Sequence, residues 1–267
     1  MATLYSGDAY NSVFDIKAYL HEHFHNNDKY TLEIAQCQFD MIQQTLSKNN
    51  FTGPRLLEIG GGPNLGNAIQ VCTQFPEIVF SDYSESCRRS VEKWVENTPD
   101  AIDWSRSIQR VCDLEGKGTT WEDRQALLRR SIKEIIHCDL LKSNPLEPKV
   151  YEPFDAIMTS YCVETASPDK DSFKESMKNI IKLLKPGGIL IMVNTLNASR
   201  YLAGQAPFFS LPVDEPFIRE AVVEAGCSVV SATVWRVAED DEDADHADME
   251  AAVTNGDGVL FLTAIKQ

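Results

Sequence analysis

The sequence predicts an α/β fold in which a mostly parallel seven-stranded sheet carries helices on both faces and follows an amino-terminal helical segment. Three observations predict it. Apolar runs recur at 56–59, 78–82, 133–139, 154–160, 188–194, 228–236 and 258–265, with helical periodicity between most of them. The first run leads into Gly60-Gly61-Gly62-Pro63, and the second closes on Asp82. No helical pattern separates the last two runs, so they are expected to pair as an antiparallel hairpin.

In chain order, residues 1–50 come first, with helical patterns around 14–24 and 31–47. This segment precedes the glycine turn and is rich in Tyr, Phe and His, so it is expected to fold over a ligand as a lid. His21, His23 and His25 look like metal ligands, but alternate spacing on a helix does not aim three imidazoles one way. They read as a solvated helix face, and no metal is expected. Residues 51–267 form the core of a single domain spanning 1–267. A helix over 171–184 carries Phe173, Met177, Ile180, Ile181 and Leu184 at helical spacing and stops at Lys185-Pro186-Gly187-Gly188. Asp214, Pro216 and Gly226 bracket another helix with an acidic cap, an early proline and a terminal glycine. The acidic stretch 238–250 reads as a solvated, mobile loop, since its carboxylates lack the glycine-punctuated spacing of a calcium loop.

The turn after the first strand carries the chemistry. Glycines at 60, 61 and 62 let backbone approach a ligand where a Cβ would collide, and Asp82, about twenty residues on, suits two ribose hydroxyls. An adenosine-containing ligand follows. A dinucleotide needs helix amides for its pyrophosphate, yet Pro63 removes one donor and Glu58 at the strand end disfavours phosphate. Glu58 suits a cation. S-adenosyl-L-methionine, with a sulfonium, an ammonium and no phosphate, fits better, and a dinucleotide oxidoreductase is the less favoured reading.

The 267 residues carry 40 acidic and 25 basic side chains, a net charge of −15. Such a charge opposes binding to a phosphate backbone and favours cationic small molecules weakly. Seven cysteines form no Cys-x-x-Cys pair and read as reduced, mostly buried thiols. With neither a basic, apolar leader nor a membrane-length apolar run, the protein is expected to be cytoplasmic and monomeric, with no nucleic-acid or membrane partner.

Several segments resemble the small-molecule N-methyltransferases that include the nicotinamide, phenylethanolamine and indolethylamine enzymes. They are 14–20, 57–63, 81–84, 111–118 (with Glu115-Gly116-Lys117-Gly118), 160–169 (with Cys162-Val163-Glu164-Thr165-Ala166-Ser167-Pro168-Asp169), 184–188 and 201–205. The resemblance implies a Rossmann-like class I methyltransferase sheet with one antiparallel strand, and methyl transfer from S-adenosyl-L-methionine to give S-adenosyl-L-homocysteine. It places Tyr19 at the cofactor's methionine carboxylate, Gly60 and Gly62 under the methionine part and Asp82 at the ribose. Asp139 and Leu140 flank the adenine, and Ser160 lies near the cofactor. Tyr10, Gly61, Tyr83 and Cys87 complete the expected cofactor set. Phe24 stands where the family usually has a second lid tyrosine, Gly66 replaces a larger tyrosine, and Cys87 replaces a polar residue.

At the acceptor end, Glu164 resembles the carboxylate that phenylethanolamine-type members use on the substrate amine. A fixed carboxylate there would stabilise charge moving onto the acceptor nitrogen or take a proton from an alkylamine. Asn194 stands where the nicotinamide enzymes carry an aspartate, and it can hydrogen-bond an amide without bringing charge. Tyr201, Ser210 and Asp257 are expected on the pocket wall. The expected acceptor is a small amine or a pyridine. A protein that binds the cofactor without turnover is the alternative from another class.

Overall fold

A computed structural model of the chain describes residues 4–25, 29–48, 53–236 and 255–267. The acidic stretch 238–250 lies outside the described residues. After a 3₁₀ turn at Gly7–Asn11, α1 (Ile16–Leu20) starts at Asp15, whose carboxylate accepts from the amides of Lys17 and Ala18. A π turn at His21–His25 continues it, and α2 (Lys29–Lys48) follows. Next come β1 (Arg55–Ile59), α3 (Gly66–Val71), β2 (Glu77–Asp82), α4 (Glu85–Val95), α5 (Ser105–Glu115), α6 (Trp121–Ser131) and β3 (Ile132–His137). The second half holds β4 (Phe154–Ser160), α7 (Val163–Ala166), α8 (Lys170–Lys182), β5 (Leu184–Leu196), β6 (Arg200–Ala203), β7 (Ala206–Phe209), α9 (Glu215–Glu224), β8 (Cys227–Trp235) and β9 (Gly258–Lys266).

The seven-stranded sheet has the order β3-β2-β1-β4-β5-β9-β8. Strands β1 to β5 pair in parallel, and β9 runs antiparallel to both neighbours. Strand alternation splits the core into two layers. Leu56, Phe80, Met158 and Ile191 pack with Ile42 of α2, Ile69 of α3 and Ile108 of α5. Leu57, Val79, Ile157 and Leu190 pack with Phe173 and Met177 of α8 and Ile218 of α9. Strand order reverses between β1 and β4, which opens a crevice at their carboxyl ends.

Three details differ from the sequence expectation. Helix α8 ends at Lys182, and Leu184 already pairs with Phe154, so β5 begins four residues before 188. Strand β3 stops at His137 because the Asp139 amide turns to donate to the Pro145 carbonyl. The hairpin of β6 and β7 was not foreseen: both strands are only four residues long, joined at Gly204 with φ +63°. Its Tyr5–Phe208 bridge ties the amino-terminal segment to this hairpin.

Candidate active site

The crevice between β1 and β4 is built on Asp82. One carboxylate oxygen accepts from the Gly62 amide and the other from the Ser84 amide, both at 2.8 Å. The same side chain therefore closes the glycine turn and starts α4, where Ser84 caps the amide of Cys87. Burial pushes the Asp82 carboxyl above its usual range, and the two amides and Arg88 oppose that shift. The turn leaves no room for a side chain at Gly60 or Gly61, whereas Gly62, at φ +60°, has open space at its Cβ and is constrained by its backbone conformation alone. A Cβ on Gly60 would lie 2.0 Å from Cys162 Sγ, and one on Gly61 would lie 2.3 Å from the Phe80 ring.

Beneath the turn, Glu58 is buried with no hydrogen-bond partner on either carboxylate oxygen. Burial pushes its carboxyl up to about 8, with Asn67 opposing and Asp82 adding to the shift. A cationic ligand above the turn supplies the compensation this group lacks, so the donor set fits S-adenosylmethionine and disfavours phosphate. At pH 7 Glu58 holds a proton that such a ligand would displace. Binding is therefore expected to release a substantial fraction of one proton at pH 7 and to tighten as pH rises towards 8. Calorimetry in buffers of different ionisation enthalpy measures this; equal proton release by the Glu58→Gln variant would rule Glu58 out as the source.

A cavity of about 460 Å³ occupies the crevice. Every residue expected at the cofactor lines it. Gly60, Gly61, Gly62 and Asp82 form the floor; Tyr83 and Cys87 come from the β2–α4 junction; Asp139 and Leu140 follow β3; Ser160 ends β4; Tyr10 and Tyr19 close it from the amino-terminal segment. The Tyr201 hydroxyl donates to the Tyr10 hydroxyl at 2.8 Å, linking that segment to β6. Burial raises both phenols, so they stay neutral. Phe14 and Phe208 pack between these tyrosines, with Phe14 4.8 Å from Tyr19 and Phe208 4.8 Å from Tyr10 between ring centroids.

A second cavity of about 140 Å³ joins the first at Tyr19, Phe24, Tyr161, Thr165 and Tyr201. Its remaining wall includes His23, Gln38, Thr195 and Ser210, and among the described residues none that lines it is Asp, Glu, Lys or Arg. Ser210 and Tyr201 stand where expected. Asp257 does not: it is exposed, its amide donates to the Leu196 carbonyl at the end of β5, and its carboxylate accepts from the Asn197 side chain at 2.8 Å. Glu164 and Asn194 do not reach either wall. Glu164 is 0 % exposed and accepts from Asn194 Nδ2 at 2.6 Å and the Thr195 amide at 2.9 Å. Burial pushes its carboxyl up to about 7, held back by that amide and by Asn194.

Several wall residues escaped sequence reasoning. Tyr161 is a non-glycine residue at φ +55°, a strained conformation of a kind that clusters at functional sites. Its position directly after Ser160 was the available signal. Asn67 donates to Ser160 Oγ at 3.1 Å and accepts from Gln38 at 2.7 Å, a chain joining α2, α3 and β4 that no local pattern announces. His23 corrects the solvated-face expectation. The π turn swings it inward, where Nε2 meets the Leu202 carbonyl at 2.7 Å and the ring packs on Tyr19. Among the described residues no group of three His, Cys, Asp or Glu side chains is placed to hold a metal, and no helix is long and apolar enough to cross a membrane. All seven cysteines are free thiols.

The chain is similar to human nicotinamide N-methyltransferase, 33% identical over 232 residues that cover 84% of this chain and 86% of that protein. It is similar also to mouse indolethylamine N-methyltransferase, 29% identical over 262 residues covering 97% and 96%. In fold alone it resembles the glycopeptide N-methyltransferase MtfA complexed with S-adenosylhomocysteine, with a TM-score of 0.54, 10% identity and coverage of 86% and 90%. The seven-stranded, mostly parallel sheet agrees with the likeness in fold. Residues 2–267 match the NNMT/PNMT/TEMT family, and the chain belongs to it.

Proposed function

We propose that this S-adenosylmethionine-dependent N-methyltransferase acts on a small aromatic nitrogen base that binds uncharged, a pyridine such as nicotinamide. One observation carries the reading: among the described residues the second cavity presents aromatic rings, hydroxyls, an amide and an imidazole, but no carboxylate. A protonated alkylamine there would be a desolvated cation without a partner. A flat heteroaromatic ring suits Tyr19, Phe24 and Tyr161. When bound, S-adenosylmethionine supplies an electrophilic methyl group: the acceptor's lone pair forms the N–C bond and the C–S pair stays on sulfur. The aromatic faces then stabilise positive charge arriving on the acceptor nitrogen, and a pyridine needs no base. The cavity walls need only hold it in line.

A second reading, an arylalkylamine acceptor, is favoured by Glu164. Its carboxyl lies near 7, and the next residue, Thr165, lines both cavities. The two readings separate in kcat/KM at several pH values. The account expects a pyridine to be preferred by at least about tenfold, with any amine used only as its free base, about tenfold faster per pH unit below the amine's own pKa. An amine preferred over pyridines, with one titration near 7 that Glu164→Gln removes, would establish the second reading.

A further inference from the structure

A third cavity of about 350 Å³ lies between α2, α3 and the first turns of α5, and it meets the other two at Phe24 and Tyr161. It is open because α3 begins with a glycine. A Cβ on Gly66 would find the Asn64 side chain as its three nearest atoms, the closest at 3.0 Å. A large side chain at this position would fill the space that the wall instead leaves free.

The chemistry of this wall differs from that of the second cavity. Arg106 and Arg110 line it. Arg110 is half-buried, donates to the Leu32 carbonyl at 2.8 Å and forms no ion pair among the described residues. In a chain with a net charge of −15, an uncompensated guanidinium at a cavity is a specific feature, and its fork suits a carboxylate. The exposed Asp103 also lines this cavity, where its carboxylate accepts from the Ser105 amide at 2.9 Å at the start of α5. The two arginines make this wall complementary to an anionic substituent.

We propose that the third cavity receives an acidic side chain of the acceptor, making the preferred substrates aromatic nitrogen bases with a short carboxylate-bearing substituent. The proposal rests on the pyridine reading above and deepens it. The transfer keeps its balance: the ring nitrogen's lone pair forms the N–C bond, the C–S pair stays on sulfur, no proton moves, and the carboxylate takes no part.

The test compares pyridine-3-propionate with its primary amide as acceptors, in the wild type and in Arg110→Gln and Arg106→Gln. Glutamine at 110 can still donate to the Leu32 carbonyl, and thermal melting checks that each variant folds. The expected result is an acid-to-amide ratio in kcat/KM of about 10–100 in the wild type, arising mainly in KM, and falling towards one in Arg110→Gln. Calorimetric binding of the two compounds to enzyme saturated with S-adenosylhomocysteine should show the same ratio without turnover. Parity in the wild type, or a ratio that survives both substitutions, overturns this proposal alone. Failure to methylate either compound while nicotinamide is methylated also overturns this proposal alone; failure with nicotinamide as well overturns the pyridine reading and this proposal with it.

Discussion

Replacing Gly60 with alanine is expected to cost at least about 30-fold in affinity for S-adenosylhomocysteine, measured by calorimetry. Two costs combine. Gly60 sits at φ +64°, where an L side chain is strained by about 1–2 kcal/mol. Its added Cβ would stand 2.0 Å from Cys162 Sγ and 2.6 Å from Cys162 Cβ, an overpacking that typically costs about 1–3 kcal/mol. Since about 1.4 kcal/mol is tenfold in binding, the sum reaches the expected loss. The turn can relax only by moving away from the cofactor or by pushing the β4 end, Ser160 to Cys162, out of the cavity wall. Pairing Gly60→Ala with Cys162→Gly should restore part of the affinity, since it removes the contact but not the strain. Gly187 is the control: it has φ +74° with open space at its Cβ, so alanine there should lower stability modestly and leave affinity alone. Wild-type affinity in Gly60→Ala would remove the close-approach argument for this turn.

Glu164→Gln is expected to lower kcat about tenfold while leaving cofactor affinity within about twofold. The carboxylate lies behind the wall and not on it, so it acts by holding Thr195 and Asn194 and by its charge. Glutamine can keep the fold. Its oxygen can accept from the Thr195 amide, and its nitrogen can donate to Asn194 Oδ1, now buried and unpartnered. The substitution also carries a stability signature. The Glu164 carboxyl is raised from 4.5 to about 7 in the folded protein, so the native state holds more protons than the unfolded one across that window. Its stability contribution is greatest at low pH, declines as pH rises from 4.5 to 7, and is level above. Relative to the wild type, the glutamine variant should therefore gain stability between pH 4.5 and 7, by up to a few kcal/mol. Equal melting temperatures for the two proteins at pH 5 and pH 8, relative to each other, would show that the carboxyl is not raised. A drop in cofactor affinity as large as the drop in kcat would assign Glu164 to the cofactor site.

The parts of this site legible in the sequence were those written in neighbouring residues. An apolar strand ending in Gly60-Gly61-Gly62, and another ending in Asp82, place two strand ends and the ligand between them, because a parallel sheet must bring its carboxyl ends to one edge. Period and terminators located the helices for the same reason, with errors where pairing overrode them, as when Leu184 joined β5 opposite Phe154. The acceptor side was harder to read. Its wall combines Gln38 with Asn67 and Ser160, residues 29 and 93 positions apart, and such contacts leave no periodic trace. Glu164 was legible as a carboxylate near the crevice. That its charge would be engaged by Asn194, itself a candidate, depends on the β4–β5 pairing and the path after Cys162. Asp257 failed for the converse reason: a hairpin signature gives the turn but not the direction in which its side chains leave the sheet. The third cavity depends on a missing side chain at Gly66 and on the facing surface of α5, which comes some forty residues later.

The most direct test of the account is production of S-adenosylhomocysteine from S-adenosylmethionine with nicotinamide, quinoline, pyridine-3-propionate, phenylethanolamine and tryptamine as acceptors under one set of conditions. Turnover concentrated on the pyridine-type acceptors is the expected result. Turnover confined to the two alkylamines, or none with any acceptor while the cofactor still binds, would contradict it.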